Sequence, residues 1–456
     1  STKNSVSMNV VTDSKGGTTS CTGVQPILSA YQKGYESRPL CLRFIGNVTD
    51  PSTLEGGDIL VKGNGSSKRL SCGVTIEGIG NDAVFNGFGL RIANASNVEV
   101  RNLGFMNCDS SEGDDIGLQQ NNDHVWVHNC DLFYGDAGSD ADQVKGDGAL
   151  DTKTSSYITH SYNHFWDNGK SNLQGMKSES TDNLITYHHN WYDHSDSRHP
   201  RIRTCTVHCY NNYFDGNAKY GVGATMGCSV FVENNYFRNC PRPMMSSLQG
   251  TDAAGEGTFS GETGGIIKSF GNYMEGVSSY ITYKDNSSSF DAYEASSRSE
   301  TVPSSVKTLS GGTTYNNFDT ASSMYKYTPD AAADVPAIVT AKAGRVDGGD
   351  FKWQFNNSVD DASYAVNDGL KAALVSYKGT VQAIGSGFKE DNTPAPAATD
   401  APAVTTPPTQ TTAAQTPTVT PTAGDYVHNF TTNGTSSSFY TISGNLSTAK
   451  GTATYN

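Results

Sequence analysis

An asparagine followed by aromatic or apolar residues recurs seven times between positions 107 and 272, and no other feature constrains the fold of this chain as tightly. It reads MNC at Asn107, HNCDLF at Asn129, YNHF at Asn163, HNWY at Asn190, NNYF at Asn212, NNYF at Asn235 and GNYM at Asn272. The intervals are 22, 34, 27, 22, 23 and 37 residues. A short apolar run precedes most of them: VEVRNLGF, VWVHN, LITYHHN, CTVHCYNN, SVFVENN, GIIKSFGN. One such unit cannot bury its inner face alone, so successive units stack and share a core. Asparagine tolerates left-handed backbone, and its amide can bond the asparagine above and below. A β-sandwich would instead show hairpin signals such as Asn-Gly between alternating strands. The repeat therefore predicts an all-β chain wound as a right-handed parallel β-helix. The shortest intervals are single coils and the longer ones are coils with inserted loops.

Composition agrees: charged residues make up 17 % and there are 48 glycines, which suits strands and tight turns rather than a helical bundle. No apolar run reaches the ~18 residues of a membrane-spanning helix. The chain opens at Ser1 without a basic-then-apolar leader, as a mature secreted, extracellular protein would. Nine cysteines are scattered singly with no CxxC pair, which argues against zinc. Export would permit disulfides, burial as small hydrophobes is the alternative, and pairing stays open. A net charge of −14 argues against nucleic-acid or anionic-membrane partners. A monomer is expected.

Residues 1–390 read as one catalytic domain. From Asp391 to Gly424 the chain is rich in Pro, Thr and Ala with almost no large apolar residue, which predicts an extended linker. Residues 425–456 alternate aromatic and polar residues as strands do, but are too few for a core of their own. They read as the start of a truncated β-rich accessory module or as a disordered tail.

Several segments resemble polysaccharide lyase family 1, the pectate and pectin lyases. They are GNVTD, VTIEGIG, FNGFGLRI, NVEVRNLGF, NNDHVWVHNCDLF, GDGALDTKTSSYITHSYNHF and YHHNWYDHSDSRHPRIRTCTVHCYNNYF. The likeness runs in order from about Gly23 to Asn272, and its most specific parts are RHPRIR and the carboxylate spacing. Where that family has W-V-D-H, this chain has Trp126-Val127-His128-Asn129.

With the repeat asparagine as a phase marker, Asp115 lies 14 residues before Asn129, Asp147 and Asp151 lie 16 and 12 before Asn163, and Arg198 lies 14 before Asn212. Equal phase on neighbouring coils means one face, so three carboxylates converge beside cations, and such a trio needs a positive partner. The resemblance implies that Asp115, Asp147 and Asp151 hold a catalytic Ca2+, for which oxygen ligands are suited. It also implies that Arg198 is the catalytic base and that Lys170 and Arg203 bind substrate, with Lys170 in reserve as base. Asp114 or Glu112 are substitutes for a further ligand, because Gly113 falls where some relatives carry an aspartate. Arg201 and Lys177 read as structural or solvated charges. His189, His194 and His199 lie near Arg198 in sequence, and ladder or surface roles are expected of them.

The implied function is a calcium-dependent pectate lyase acting on polygalacturonate by β-elimination. The competing readings are a pectin lyase, a polygalacturonase and a non-catalytic carbohydrate-binding β-helix. Pectin lyases replace the calcium carboxylates, and no Gly-His-Gly of a polygalacturonase occurs. The accessory module is expected to bind plant cell-wall polysaccharide.

Overall fold

The computed structural model describes residues 6–380 apart from 51–53, 66, 137–143, 178, 180–182 and 254–260, and four short strands beyond residue 380. Residues 1–381 form one compact unit and 382–456 another. In the second unit Thr431–Thr432 pairs with Thr435–Ser436 and Ser447–Ala449 with Thr452–Thr454, both antiparallel. The expected linker, Asp391–Gly424, lies outside the described residues.

The first unit is a parallel β-helix. Eight parallel strands form one wall, in order Met244–Ser246, Val222–Thr225, Arg201–Arg203, Leu173–Gln174, Leu150–Thr152, Ile116–Gln119, Leu90–Ala93 and Ile59–Lys62. We call it the groove sheet. A 17-stranded sheet supplies the other walls. Its longer strands include Asn122–His128, Ser155–Ser161, Leu184–His188, Thr206–Tyr210, Ser229–Glu233 and Ile266–Phe270. Short strands such as His164–Trp166, Trp191–Asp193, Tyr213–Asp215 and Tyr236–Arg238 follow after a tight turn.

In-register pairing stacks like on like. Val125, Ile158, Ile185, Val207, Val230 and Ile267 form one column. Phe165, Tyr192, Phe214 and Phe237 form another, with ring centroids 4.8, 5.2 and 4.2 Å apart. All of these are buried, and together they make one continuous core. Helix Val24–Tyr31 contributes Val24, Ile27, Leu28 and Tyr31 to it. No helix among the described residues is long and apolar enough to cross a membrane. All nine cysteines are unpaired.

The asparagine repeat proves to be two repeats. The tight turn has a left-handed residue followed by an inward one. The left-handed position is filled by Asn102, Asn129, Tyr162, His189, Asn211, Asn234 and Gly271. The inward position next to each is Leu103, Cys130, Asn163, Asn190, Asn212, Asn235 and Asn272. Only the last five form an amide ladder: Asn163 Nδ2 donates to Asn190 Oδ1 at 3.1 Å, Asn190 to Asn212 at 2.9 Å, Asn212 to Asn235 at 3.0 Å and Asn235 to Asn272 at 3.0 Å. The coil before Asn163 has Cys130 at this position, and its backbone N–H donates to Asn163 Oδ1 at 3.1 Å. Asn129 is thus a turn residue whose amide donates instead to the Lys342 carbonyl at 2.9 Å. Asn107, at φ 51°, sits in another turn of its coil, after the short strand Gly104–Met106. Both had been expected to mark the ladder.

Candidate functional site

The outer face of the groove sheet, and the turns that lead into its strands, set Asp147, Asp151, Lys170 and Arg198 near one another. Leu150 and Thr152 point into the core, so the alternation of a strand sends Asp151 outward. Asp114 approaches from the turn before Ile116–Gln119. A Cβ on Gly148 would stand 2.4 Å from Asp151 Oδ1 and 2.7 Å from Asp114 Oδ1, so both carboxylates close over the bare backbone there. Gly113, at φ +86°, passes close to Asp147, where a Cβ would meet the Asp147 Cβ at 3.0 Å. Only glycine combines that backbone with that clearance.

The carboxylates repel one another. Burial first, then the negative charge of Asp151, pushes Asp114 well above the usual carboxylate range, and Asp114 Oδ2 has no hydrogen-bond partner. Asp151 is also raised by burial, although Lys153, Arg198 and the Leu173 N–H, which donates to Asp151 Oδ1 at 2.8 Å, pull it down. Lys153 stands among them: its Nζ lies 3.6 Å from Asp114, 3.7 Å from Asp151 and 3.8 Å from Glu112. These carboxylates lift its own pKa against the opposing effect of burial. Sequence phase missed Lys153, though the signal was present: two residues beyond Asp151 on a strand is the same face. Among the described residues, no three side chains of His, Cys, Asp or Glu form a ready-made metal cage.

Asp115 is not with this group. It is almost fully buried, its charge faces Asp58 rather than Asp151, and its Oδ1 has no hydrogen-bond partner. Burial, then Asp58, drives its pKa well up. The reason lies in the turn chemistry. Counting from Asn129 used a turn residue as if it were a ladder residue, and the ladder position of that coil is Cys130. Strand register, with Leu150 on Ile116, sets Gly113 beside Asp147 and Asp114 beside Gly148. A slip of one residue reverses the face of a strand.

The expected cations lie along the same wall. Lys170 Nζ is 3.7 Å from Asp147 Oδ1, and Gly148 bridges Lys170 in parallel register. Arg198 has left-handed backbone, φ 65°, and its carbonyl accepts from Asn172 N–H at 2.7 Å. Arg203 and Arg201 share one carboxylate. Arg203 Nε donates to Glu262 at 2.9 Å and Arg201 Nη2 at 2.9 Å, while the exposed Lys177 is 3.5 Å away. The two guanidiniums outweigh desolvation and hold Glu262 down at about 2.

The histidines are committed elsewhere. His199 Nδ1 donates to the Tyr220 carbonyl at 2.8 Å, so its Nε2 accepts from Ser195 Oγ at 2.9 Å. Burial holds its pKa down at about 3, which keeps the ring neutral. His194 pairs with Asp193 and Asp361, and His189 with Asp330.

The family profile described as Pectate lyase matches residues 62–347, and one described as Carbohydrate binding module 77 matches residues 424–456. The chain is 32 % identical over 233 residues to a pectate trisaccharide-lyase of Bacillus licheniformis, covering 51 % of this chain and 65 % of that protein. It is 38 % identical over 192 residues to a probable pectate lyase B of Aspergillus terreus, covering 40 % and 58 %. The chain thus spans less than two thirds of the length of the curated relatives it matches. Among solved structures, a pectate lyase of Bacillus sp. N165 in complex with trigalacturonate superposes with a TM-score of 0.52 at 24 % identity, over 71 % of this chain and 90 % of that one. Pectate lyase II of Xanthomonas campestris gives 0.50 at 26 % identity, over 72 % and 93 %.

Proposed function

The chain belongs to the pectate lyase family, polysaccharide lyase family 1, and on that premise we propose that it is a calcium-dependent pectate lyase cleaving α-1,4-linked polygalacturonate by β-elimination. One observation carries the reading. Asp114 and Asp151 converge, buried, in a wall that also carries Lys170 and Arg198, and Asp114 Oδ2 has no hydrogen-bond partner. The donor set is all oxygen, and Lys153 offsets its mutual repulsion only in part, which fits a hard divalent cation. Glu112, Asp114, Asp147 and Asp151 would hold Ca2+, with Asp114 in the place that sequence phase gave to Asp115. When bound, Ca2+ supplies positive charge to a uronate carboxylate and so acidifies the adjacent C5–H.

The remaining work falls to side chains. Lys170 and Arg203 hold uronate carboxylates by charge-assisted hydrogen bonds. Arg198 takes the C5 proton. The electron pair of that C–H bond becomes the C4–C5 double bond, and O4 leaves with the pair of the C4–O4 bond. The product end is therefore 4,5-unsaturated. Lys170 is the reserve base.

The chain is further proposed to be secreted, with residues 391–424 a linker and the segment from 424 part of a module that binds cell-wall polysaccharide. The pectin lyase reading is disfavoured by a carboxylate cluster that a neutral, esterified substrate does not need. The deciding measurement is ultraviolet absorbance of the unsaturated product on polygalacturonate, with chelator and after Ca2+ is restored. Activity should vanish and return. Full activity in excess chelator would promote the pectin lyase reading.

A further inference from the structure

In the turns near Asp147, Lys170 and Arg198 lies a buried charge cluster outside the proposed chemistry. The Lys145 side chain is 1 % exposed. Its Nζ donates to Asp167 Oδ1 at 2.6 Å and to Asp196 Oδ1 at 2.7 Å. The Tyr134 hydroxyl donates to the other oxygen of Asp167 and accepts the Asn367 N–H at 3.1 Å. A buried ammonium with two buried carboxylates is costly to assemble, and replacing such a cluster with apolar groups often stabilises a protein. Stability alone does not account for it.

Its three members stand on three successive turns. Lys145 lies two residues before Asp147, Asp167 three before Lys170, and Asp196 two before Arg198. The backbones of these turns are also joined. Ala149 N–H donates to the Lys170 carbonyl at 2.9 Å, Ser171 N–H to Ser197 at 3.0 Å and Asn172 N–H to Arg198 at 2.7 Å. The Ser197 hydroxyl donates to the Gly169 carbonyl at 2.9 Å. Backbone bonds alone allow the turns to shift together or splay. A single ammonium bonded to both neighbouring turns fixes their separation.

We propose that Lys145 is a positioning residue. It draws the turns carrying Asp147, Lys170 and Arg198 onto one centre and so sets the spacing between the metal-binding carboxylate, the substrate cation and the base. This rests on the lyase reading. A role in positioning, unlike a role in stability alone, acts on turnover and metal affinity in molecules that are fully folded.

The test uses the full chain with Lys145→Met, Lys145→Arg and the triple variant Lys145→Met/Asp167→Asn/Asp196→Asn. The triple variant removes every charge of the cluster at nearly constant volume and so, unlike Lys145→Met, leaves no uncompensated buried carboxylate. For each, circular dichroism establishes folding, calorimetry gives the Ca2+ dissociation constant, and product absorbance gives kcat and KM. In the folded variants kcat should fall by more than ~10-fold, Ca2+ affinity should weaken several-fold and KM should change little. Lys145→Arg should recover part of the loss. A folded triple variant with kcat and Ca2+ affinity within twofold of the parent overturns the proposal. A parent chain without lyase activity instead overturns the lyase reading, and calorimetry then still reports whether Lys145 governs cation affinity.

Discussion

The amide ladder and the groove wall are built by the same stacking of coils, yet they end in opposite states. From Asn163 to Asn235 every ladder amide is buried and bonded to the next, and the half-buried Asn272 ends the row. Across the core, Asp114 Oδ2 is buried without a hydrogen-bond partner, and its carboxyl is crowded by Asp151, Asp147 and Glu112. Stacking identical neutral groups that both donate and accept closes a chain of hydrogen bonds. Stacking carboxylates, which only accept, accumulates repulsion. The ladder is therefore where the coils gain stability, and the groove is where they spend it to hold a cation and a polyanion.

The largest effect that separates the two regions should come from Arg198→Lys. The substitution keeps a positive charge and loses the planar fork. If Arg198 is the base, kcat should fall by on the order of 10²–10⁴, the range of a lost general base, with KM little changed. Thermal stability should match the parent, because the Arg198 carbonyl bond to Asn172 is backbone. A variant that raises KM and leaves kcat alone would assign Arg198 to binding and shift the base to Lys170.

The ladder side predicts the converse. In Asn212→Ala the Asn190 N–H and Nδ2 lose their acceptor, and Asn235 Oδ1 loses a donor. Each buried group left unpaired costs about 1–3 kcal/mol, so the variant should lose about 3 kcal/mol or more of unfolding free energy. At temperatures where it remains folded, its kcat and Ca2+ affinity should equal those of the parent. A folded Asn212→Ala enzyme with altered metal affinity would mean that the two regions are energetically coupled through the core.

The same comparison explains what was legible in the sequence. The architecture was visible because each coil repeats one apolar strand and one turn, and chemistry of that regularity has few three-dimensional solutions. The C-terminal arm was not visible. Segments such as the one carrying Arg345, which bonds Asp131 at 2.7 Å, have no period, and their partners lie more than two hundred residues away. In the groove, Asp147, Asp151, Lys170 and Arg198 stand near one another, but asparagine serves both as a left-handed turn former and as a ladder rung, and a single letter does not distinguish them. Asn129 does the first job and Asn163 the second. That ambiguity moved the reading of one coil by a residue, and with it the identity of a candidate ligand.

The smallest effect therefore tests the finest point, whether Asp114 or Asp115 serves the groove. Both are buried and both are pushed well above the usual carboxylate range, so pKa does not choose between them. Geometry does, since Asp114 closes on Gly148 together with Asp151, and Asp115 faces Asp58. Asp114→Asn should weaken Ca2+ binding by about tenfold or more, given that even groups behind a ligand carry 10–100-fold. Asp115→Asn should leave Ca2+ affinity within twofold and change only stability, in a direction set by linkage. A carboxyl whose folded pKa is raised contributes stability that is fully present below its unfolded value, 3.8, and is lost as pH rises toward the folded value. Asparagine of the same shape does not titrate and escapes that loss. Melting curves of parent and Asp115→Asn should thus lie close together near pH 4, and the variant should become the more stable by a growing margin toward alkaline pH. If instead Asp115→Asn lost metal affinity while Asp114→Asn kept it, the ligand would be Asp115, and the groove would have to rearrange on binding to turn that side chain away from Asp58.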